Sequence, residues 1–281
     1  MILGLSFIKL WLICYIIVIS MPFTNILLSD DYNTELAKKF RPIFNFHKDE
    51  MYFPISIEEY LENCVMTDNN GKIILENPTV KDLSYYENGS FMLLVTSNVY
   101  NNIKLNPSIT IYAKVVEDDT HYYITYYMIF LNNIGYDIGC WKNVGEHLYD
   151  LEHITMKIKK YNESIETVFF SAHSDGEMKK EKDLEWKNGR IVVYVAKGSH
   201  AMYNRGGTIY RIWFAANDKC GAHISFSHNE LKLLENNDNW VYFNGKMSQD
   251  GGSLMGSRYW FNEPWLEQQT TSRCGKIFRL C

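Results

Sequence analysis

No CxxC pair occurs in the 281 residues, which removes the usual spacing of a structural zinc knuckle. No G-x-S-x-G elbow is present, so the chain shows no nucleophile of the α/β-hydrolase kind. No phosphate-cradling glycine loop is present either. There is no basic excess: 28 Lys and Arg stand against 33 Asp and Glu, a formal net charge of -5. Nothing in that balance would draw a phosphate backbone, which argues against a nucleic-acid partner. No Gly/Ser-rich or Pro-rich linker divides the chain, and no internal repeat is seen. Strands do not alternate with long helices, so a doubly wound parallel sheet is disfavoured.

What is there is apolar and aromatic. Hydrophobic residues make up 46% and aromatics 15% of the chain, ample for a folded core. The first residues read MILGLSFIKLWLICYIIVISMPF. Lys9, an apolar run from Leu10 to Ile19, and the Val18-x-Ser20 site describe a signal peptide over residues 1–20. The alternative is a signal anchor, single-pass, with Lys9 snorkelling to the interface. A secreted or endomembrane-lumenal chain is therefore expected, in a compartment that permits disulfides. If Cys14 leaves with the signal, five of the six cysteines remain, an odd number. Asn88-Gly-Ser90 and Asn162-Glu-Ser164 are acceptor triplets for N-glycosylation.

Residues 30–281 are expected to form a single domain. A short helix is predicted from Asp30, and Ser56 with Glu59 forms a capping-box signal for a second. Ser227 with Glu230 repeats that signal in SHNELKLLEN. Most other segments read as strand: 91–100, 109–117, 121–132, 151–160, 164–173, 189–198 and 207–216 are rich in β-branched and aromatic residues. Many short strands with few helices predict an all-β protein, a β-sandwich.

The densest polar stretch is GEHLYDLEH, Gly145 to His153. On a strand, alternation puts Asp150 and Glu152 on one face with Ile154, Met156 and Ile158. That face should be the core side, with the carboxylates at its end, where the sandwich opens to a rim. Two like charges on neighbouring same-face positions repel. Either one is protonated or a positive group lies between them: a basic side chain, His147, His153, or a metal ion. Oxygen-rich sites with one imidazole suit Ca²⁺, Mg²⁺ or Mn²⁺, and Asp137 in GYDIGC offers a further carboxylate. The plainer reading is a solvated strand start whose acids pair with Lys142 or Arg211.

HLYDLEHITMKI resembles the H-x-x-D-W-E-H signature of the vacuolar protein sorting-associated protein 62 family. VFFSAHSDGE, YVAKGSHAMY, the tail from Asn239 to Trp260 and the opening RPIFNFHKDEMYFPISIEEYL resemble that family's other segments, in order. Leu151 departs from it, where the family usually has Trp. A more distant likeness is to the necrosis-inducing, ethylene-inducing-peptide-like toxins, whose G-H-R-H-D-W-E motif falls on Gly145, His147, Asp150 and Glu152. In those toxins the motif holds a divalent ion at the rim of a β-sandwich and supports binding of membrane glycolipids. The resemblance implies His147, Asp150 and Glu152 as ligands here, with Asp137 a fourth.

His173 and His200 each sit at a strand end, and could reach the same rim beside His153. The alternative is that each caps its own turn. Arg258, Tyr259 and Trp260, in a Gly- and aromatic-rich stretch, would suit a membrane interface or a glycan if exposed. The reading that follows is a binder of a membrane lipid head group or glycan through a divalent-ion rim site, with membrane-damaging activity or vacuolar sorting implied by the resemblances. Catalysis is placed behind binding: a metal-assisted hydrolase is the second reading, and a structural protein without an ion site the third.

Overall fold

The computed structural model describes residues 31–85, 91–95, 109–173, 175–212, 216–221, 223–224, 229–235, 238–243 and 245–249. The chain divides into two compact units, Met1–Phe40 and Arg41–Cys281. In the first, residues 31–39 form helix α1, and Phe40 N–H closes its end on Leu36 O at 3.1 Å. The predicted signal segment, Asn88, and Arg258, Tyr259 and Trp260 lie outside the described residues.

The second unit is built on a six-stranded sheet. Its strands are β5 (Ile109–Glu117), β6 (His121–Asn133), β9 (His147–Lys159), β10 (Ser164–Ala172), β11 (Asp175–Lys180) and β18 (Asn229–Leu233). Their order is β11-β10-β9-β6-β5-β18. All neighbours run antiparallel except β18, which lies parallel to β5. A second sheet joins β12 (Trp186–Lys187), β13 (Arg190–Val195), β1 (Ile43–His47) and β17 (His223–Ile224), with β14 (Met202–Tyr203) paired to β13. Three small sheets complete the described strands: β2 (Cys64–Asp68) between β3 (Ile73–Leu75) and β4 (Phe91–Val95), the hairpin β7 (Tyr136–Ile138) with β8 (Trp141–Val144), and the hairpin β15 (Thr208–Ile212) with β16 (Ala216–Lys219). The all-β, sandwich-like class read from the sequence is what forms.

The large sheet is buried on both faces. Ile124, Tyr126, Met128 and Phe130 of β6 share one face with Ile154, Met156 and Ile158 of β9, all buried. The second sheet covers this face: the His200 ring, beyond β13, stacks on Phe130, and Arg41 and Arg190 lie close enough to Tyr126 to act on its hydroxyl. On the opposite face Tyr127 and Ile129 pack with Tyr60 and Leu61 of helix α2 (Ile57–Leu61), Leu83 of helix α3 (Val80–Tyr85), and Met66 and Leu93. The two alternating residue sets each meet a covering layer, which is why these strands read as near-continuous apolar runs.

Local signals held in one place and failed in another. Ser56 caps α2 with both capping-box bonds present, Ser56 Oγ accepting from Glu59 N–H at 3.1 Å and Glu59 Oε2 accepting from Ser56 N–H at 3.0 Å. The same signal at Ser227 and Glu230 does not make a helix. Asn229–Leu233 is a strand, pairing Asn229 with Ile109 through Leu233 with Ala113. The open edge of β5 offers that segment a ladder for its backbone groups, and tertiary pairing overrides a weak local preference. Among the described cysteines, Cys64, Cys140 and Cys220 are free thiols.

Candidate functional site

Strand alternation delivers Asp150 and Glu152 as expected. Asp150 pairs with Phe130 and Glu152 with Met128, on the face turned to the second sheet. The second sheet reaches further than an open rim would allow, so Glu152 is buried outright. Its carboxyl takes a very short hydrogen bond from Ser171 Oγ. Burial, and then the charge of Asp150, push its pKa well above the usual carboxylate range, so Glu152 is the protonated member of the pair.

The positive group between carboxylates is His200. The turn that carries it is tight: Ile134 N–H donates to Gly198 O at 3.1 Å, and His200 N–H to Ala196 O at 3.1 Å. Gly198 has φ 72°, and a Cβ there would meet Ile134 Cγ1 at 2.2 Å. His200 lies flat on Phe130, ring centroids 3.8 Å apart and planes 4° apart. Its Nδ1 sits 3.0 Å from Asp150 Oδ2. Its Nε2 sits 3.6 Å from Glu50 Oε1, a charge contact rather than a hydrogen bond. Burial pulls the imidazole down, but the charge of Glu50 and the bond and charge of Asp150 outweigh it and raise the pKa to about 9. Glu50 is fixed by backbone donors, from Met51 at 2.8 Å, Tyr52 at 2.9 Å and Gly198 at 2.7 Å. For Glu50 too, the cost of burial is outweighed, here by His200 and these N–H groups, and its pKa falls.

Asn133 links this cluster to a second one. Its Nδ2 donates to Asp150 Oδ2 at 3.0 Å and to Ser199 O at 3.4 Å. Ser199 Oγ in turn donates to Asp218 Oδ1 at 2.5 Å. Asp218, on β16, is fully enclosed and takes three further bonds: from Tyr136 OH at 2.7 Å, Tyr203 OH at 2.5 Å and His173 Nε2 at 2.9 Å. Arg211 Nε stands 3.9 Å from the same carboxylate. Burial would raise Asp218, yet the hydrogen bond and charge of His173 and the hydroxyls of Ser199 and Tyr203 hold it below the usual carboxylate range.

This second cluster meets solvent. The His173 side chain is 16% exposed and that of Arg211 23%. Arg211 Nη1 reaches Tyr136 OH at 3.5 Å. His173 follows β10, whereas Tyr136 and Arg211 stand on the hairpins β7–β8 and β15–β16, which also carry two open aromatics, Trp141 at 68% exposure and Tyr210 at 78%.

The remaining expected residues have other partners. His147 Nδ1 lies 2.9 Å from Tyr149 O, a local contact. His153 points to the opposite face, enclosed between the rings of Tyr127 and Phe169, where burial lowers its pKa to about 3. Asp137 is exposed on the β7–β8 hairpin, paired with Lys142 Nζ at 2.6 Å. Among the described residues no group of three or more His, Cys, Asp or Glu side chains is arranged to hold a metal ion. Leu151, at the position where Trp was expected, packs against the helix-side core.

Glu50, Asn133, Tyr136, Ser199, Tyr203 and Asp218 were not among the residues picked from the sequence. Ser199 and Tyr203 lie in the quoted segment that also holds His200, and Glu50 in the quoted opening segment. Asp218 sits in Ala216–Lys219, a strand with no motif of its own.

Residues 134–232 match the family model of vacuolar protein sorting-associated protein 62, so the family resemblance read from the motifs holds over the stretch that contains most of both clusters. No curated protein matches the chain. Similar solved structures include one described as a toxin fold as basis for microbial attack and plant defense, at 11% identity and TM-score 0.42, over 84% of this chain and 87% of that one. Another is the Necrosis and Ethylene inducing Protein 2 from the causal agent of cocoa's Witches Broom disease, at 12% identity and TM-score 0.40, over 79% and 87%. A third is NLPPya in complex with glucosamine, at 13% identity and TM-score 0.37, over 70% and 74%. No helix among the described residues is long and apolar enough to cross a membrane.

Proposed function

We propose that the chain binds a carbohydrate, free or as a lipid head group, at the rim formed by the β7–β8 and β15–β16 hairpins. The observation that carries this reading is the Asp218 cluster. Its carboxylate has its acceptor positions taken by four donors, so it orients neighbours rather than touching a ligand. The His173–Asp218 bond holds the proton on Nε2, which leaves Nδ1 as an acceptor. Arg211 beside it has donors to spare. An acceptor next to a donor is the complement of a hydroxyl group. Trp141 and Tyr210 are open on the two hairpins, Tyr210 on the face of β15 opposite the pair Ile209 and Asp218, and each would offer an apolar face with a polar tip, the usual partner for the C–H face of a sugar.

The test uses a panel of soluble glycans and, separately, vesicles with and without glycolipid. Wild type is expected to bind at least one glycan, and Trp141→Ala, Tyr210→Ala and Arg211→Gln to lose it with an unchanged unfolding midpoint. Retained binding in all three variants would move the site elsewhere, with Arg258, Tyr259 and Trp260 the next substitutions. Binding to glycolipid vesicles alone would assign the lipid-borne form. Membrane damage and vacuolar sorting rest on resemblance and await that outcome.

A divalent ion at His147, Asp150 and Glu152 is a separate proposal. It is supported by the mutual repulsion of Asp150 and Glu152. The pairing of Asp150 with His200 and of Glu152 with Ser171 weighs against it, since these partners already take one oxygen of each carboxylate. Metal content of the purified chain, for wild type and Asp150→Asn, decides it.

A further inference from the structure

We propose that His173 is a general base, oriented by Asp218, and that the rim hydrolyses a carboxylic ester carried by its ligand. This rests on the rim reading above only for where the ligand sits. His173 Nε2 lies 2.9 Å from Asp218 Oδ2 and 3.1 Å from Tyr136 OH. Tyr136 donates its own proton to Asp218 Oδ1 at 2.7 Å, so both contacts require the ring proton on Nε2. Nδ1 makes no hydrogen bond among the described residues, and the ring edge reaches solvent. A buried carboxylate that fixes the tautomer of an imidazole with one part open to solvent is the base-and-orienter half of acyl-transfer sites.

The carboxylate is held in place from behind. Ser199 Oγ and Tyr203 OH, each 2.5 Å away and both buried, satisfy the oxygens that His173 and Tyr136 leave over. His173 itself is kept at φ 61°, a left-handed conformation that a non-glycine residue adopts only when its surroundings impose it. Arg211, tied to the same pair through Tyr136 OH and Asp218, is the cation next to the base. The proposed nucleophile is water, activated at His173 Nδ1.

The step balances without any other reactant. His173 Nδ1 takes a proton from water as the new C–O bond forms at the ester carbonyl. The carbonyl oxygen becomes an oxyanion beside the Arg211 guanidinium. Collapse breaks the bond to the alcohol, and the imidazolium returns its proton to that leaving oxygen. The products are one carboxylic acid and one alcohol. His173 is the catalytic residue here, and Asp218 a positioning residue.

The experiment uses the full chain with p-nitrophenyl acetate and glucose pentaacetate as probes. Turnover above buffer is expected, with kcat falling about 100-fold or more in His173→Gln and KM within twofold of wild type. His173→Gln keeps an amide donor for Asp218, so its unfolding midpoint reports whether the fold survives. The ¹⁵N spectrum of the His173 ring is a second readout: the Nε2–H tautomer is expected in wild type and its loss in Asp218→Asn, and a fall in kcat at unchanged KM that accompanies this loss is what a purely structural contact would not produce. No turnover of either ester, or turnover unchanged in a folded His173→Gln, overturns the proposal, as does an Nδ1–H tautomer in wild type. Glycan binding without ester turnover would sink this proposal and leave the binding reading standing. Turnover without glycan binding would do the reverse.

Discussion

Replacing Asp218 by Asn removes one charge from the enclosed end of the rim and changes almost nothing in volume. The carboxylate accepts from His173 at 2.9 Å, Tyr136 at 2.7 Å, Ser199 at 2.5 Å and Tyr203 at 2.5 Å. The amide keeps one oxygen, enough for two of those donors, and turns an NH₂ toward the other two. Two hydrogen bonds to a charged group, at roughly 1.5–3 kcal/mol each, are lost. A serine or tyrosine hydroxyl can rotate to accept from the new NH₂, which returns part of that. Arg211 loses its buried counter-charge and, being partly exposed, recovers most of the difference from water. The expected cost is about 2–4 kcal/mol, below the roughly 3–5 kcal/mol for breaking a fully buried ion pair. For a unit of this size each kcal/mol moves the midpoint by about 2–4 °C, so the variant should unfold roughly 4–16 °C below wild type at neutral pH. The pH dependence has a fixed sign. Asp218 titrates lower in the folded chain than in the unfolded one. Its contribution is complete above the unfolded carboxyl pKa of about 4, and is lost as pH falls below that. The gap between wild type and variant should therefore narrow as pH falls below about 4, and close only below the depressed folded pKa of Asp218. Thermal unfolding by circular dichroism at pH 7 and near pH 3 measures both. A variant within about 2 °C of wild type at pH 7 would show that the four donors do not converge on this residue.

The two carboxylates of GEHLYDLEH, Asp150 and Glu152, should respond in opposite ways. Glu152 is held protonated by burial and by Asp150, so Glu152→Gln should cost under about 1 kcal/mol. Asp150→Asn takes the charged partner from a buried His200 and should cost about 2–4 kcal/mol in urea denaturation. Phe130→Ala removes the ring on which His200 lies, and about 3–5 kcal/mol is expected from the cavity. Gly198→Ala adds a methyl that would overlap Ile134 and strains a backbone at φ 72°, so a loss well above the 1 kcal/mol or so of an ordinary surface change is expected in the same assay.

The inner face of β9 was readable because its period is short and its residues contrast sharply. Asp150, Glu152, Ile154, Met156 and Ile158 alternate with a second set, and strand geometry alone places them together. The strand limits of β5 and β6 were readable for the same reason. Depth was not. Whether Glu152 ends at a rim or inside depends on how far β13 and the turn after it extend over β9, and that turn is fixed by Gly198 packing against Ile134, residues far apart in the chain. Asp218 was invisible because its four donors, Tyr136, His173, Ser199 and Tyr203, come from three separate segments. Its own strand carries no periodic or motif signal. The helix expected at Ser227 failed because a capping box is a local preference of about 1 kcal/mol, and a free sheet edge offered more.

The placement of strain says which part of the network is unlikely to be there for stability. Among the described residues six non-glycine positions adopt positive φ, and three of them are Tyr149, His173 and His200. Each left-handed residue costs roughly 1–2 kcal/mol, and a buried ion cluster is at best a weak net stabiliser. Glu50, Asp150 and His200 are interior, and a hydrophobic replacement of the whole cluster by residues of similar volume would hold the sheets together as well or better. The cluster does something else: through Asn133 and Ser199 it fixes the loop ends on which Tyr136, His173 and Asp218 depend. The prediction is a double one. A charge-free substitution of Glu50, Asp150 and His200 together, to Met, Leu and Phe, should fold with stability within about 2 kcal/mol of wild type, while glycan binding at the rim weakens. Equilibrium unfolding and binding on the same preparation separate the two. Full binding with an unchanged midpoint would show that the inner cluster and the rim are independent, and that the strain at His173 has a purely local cause.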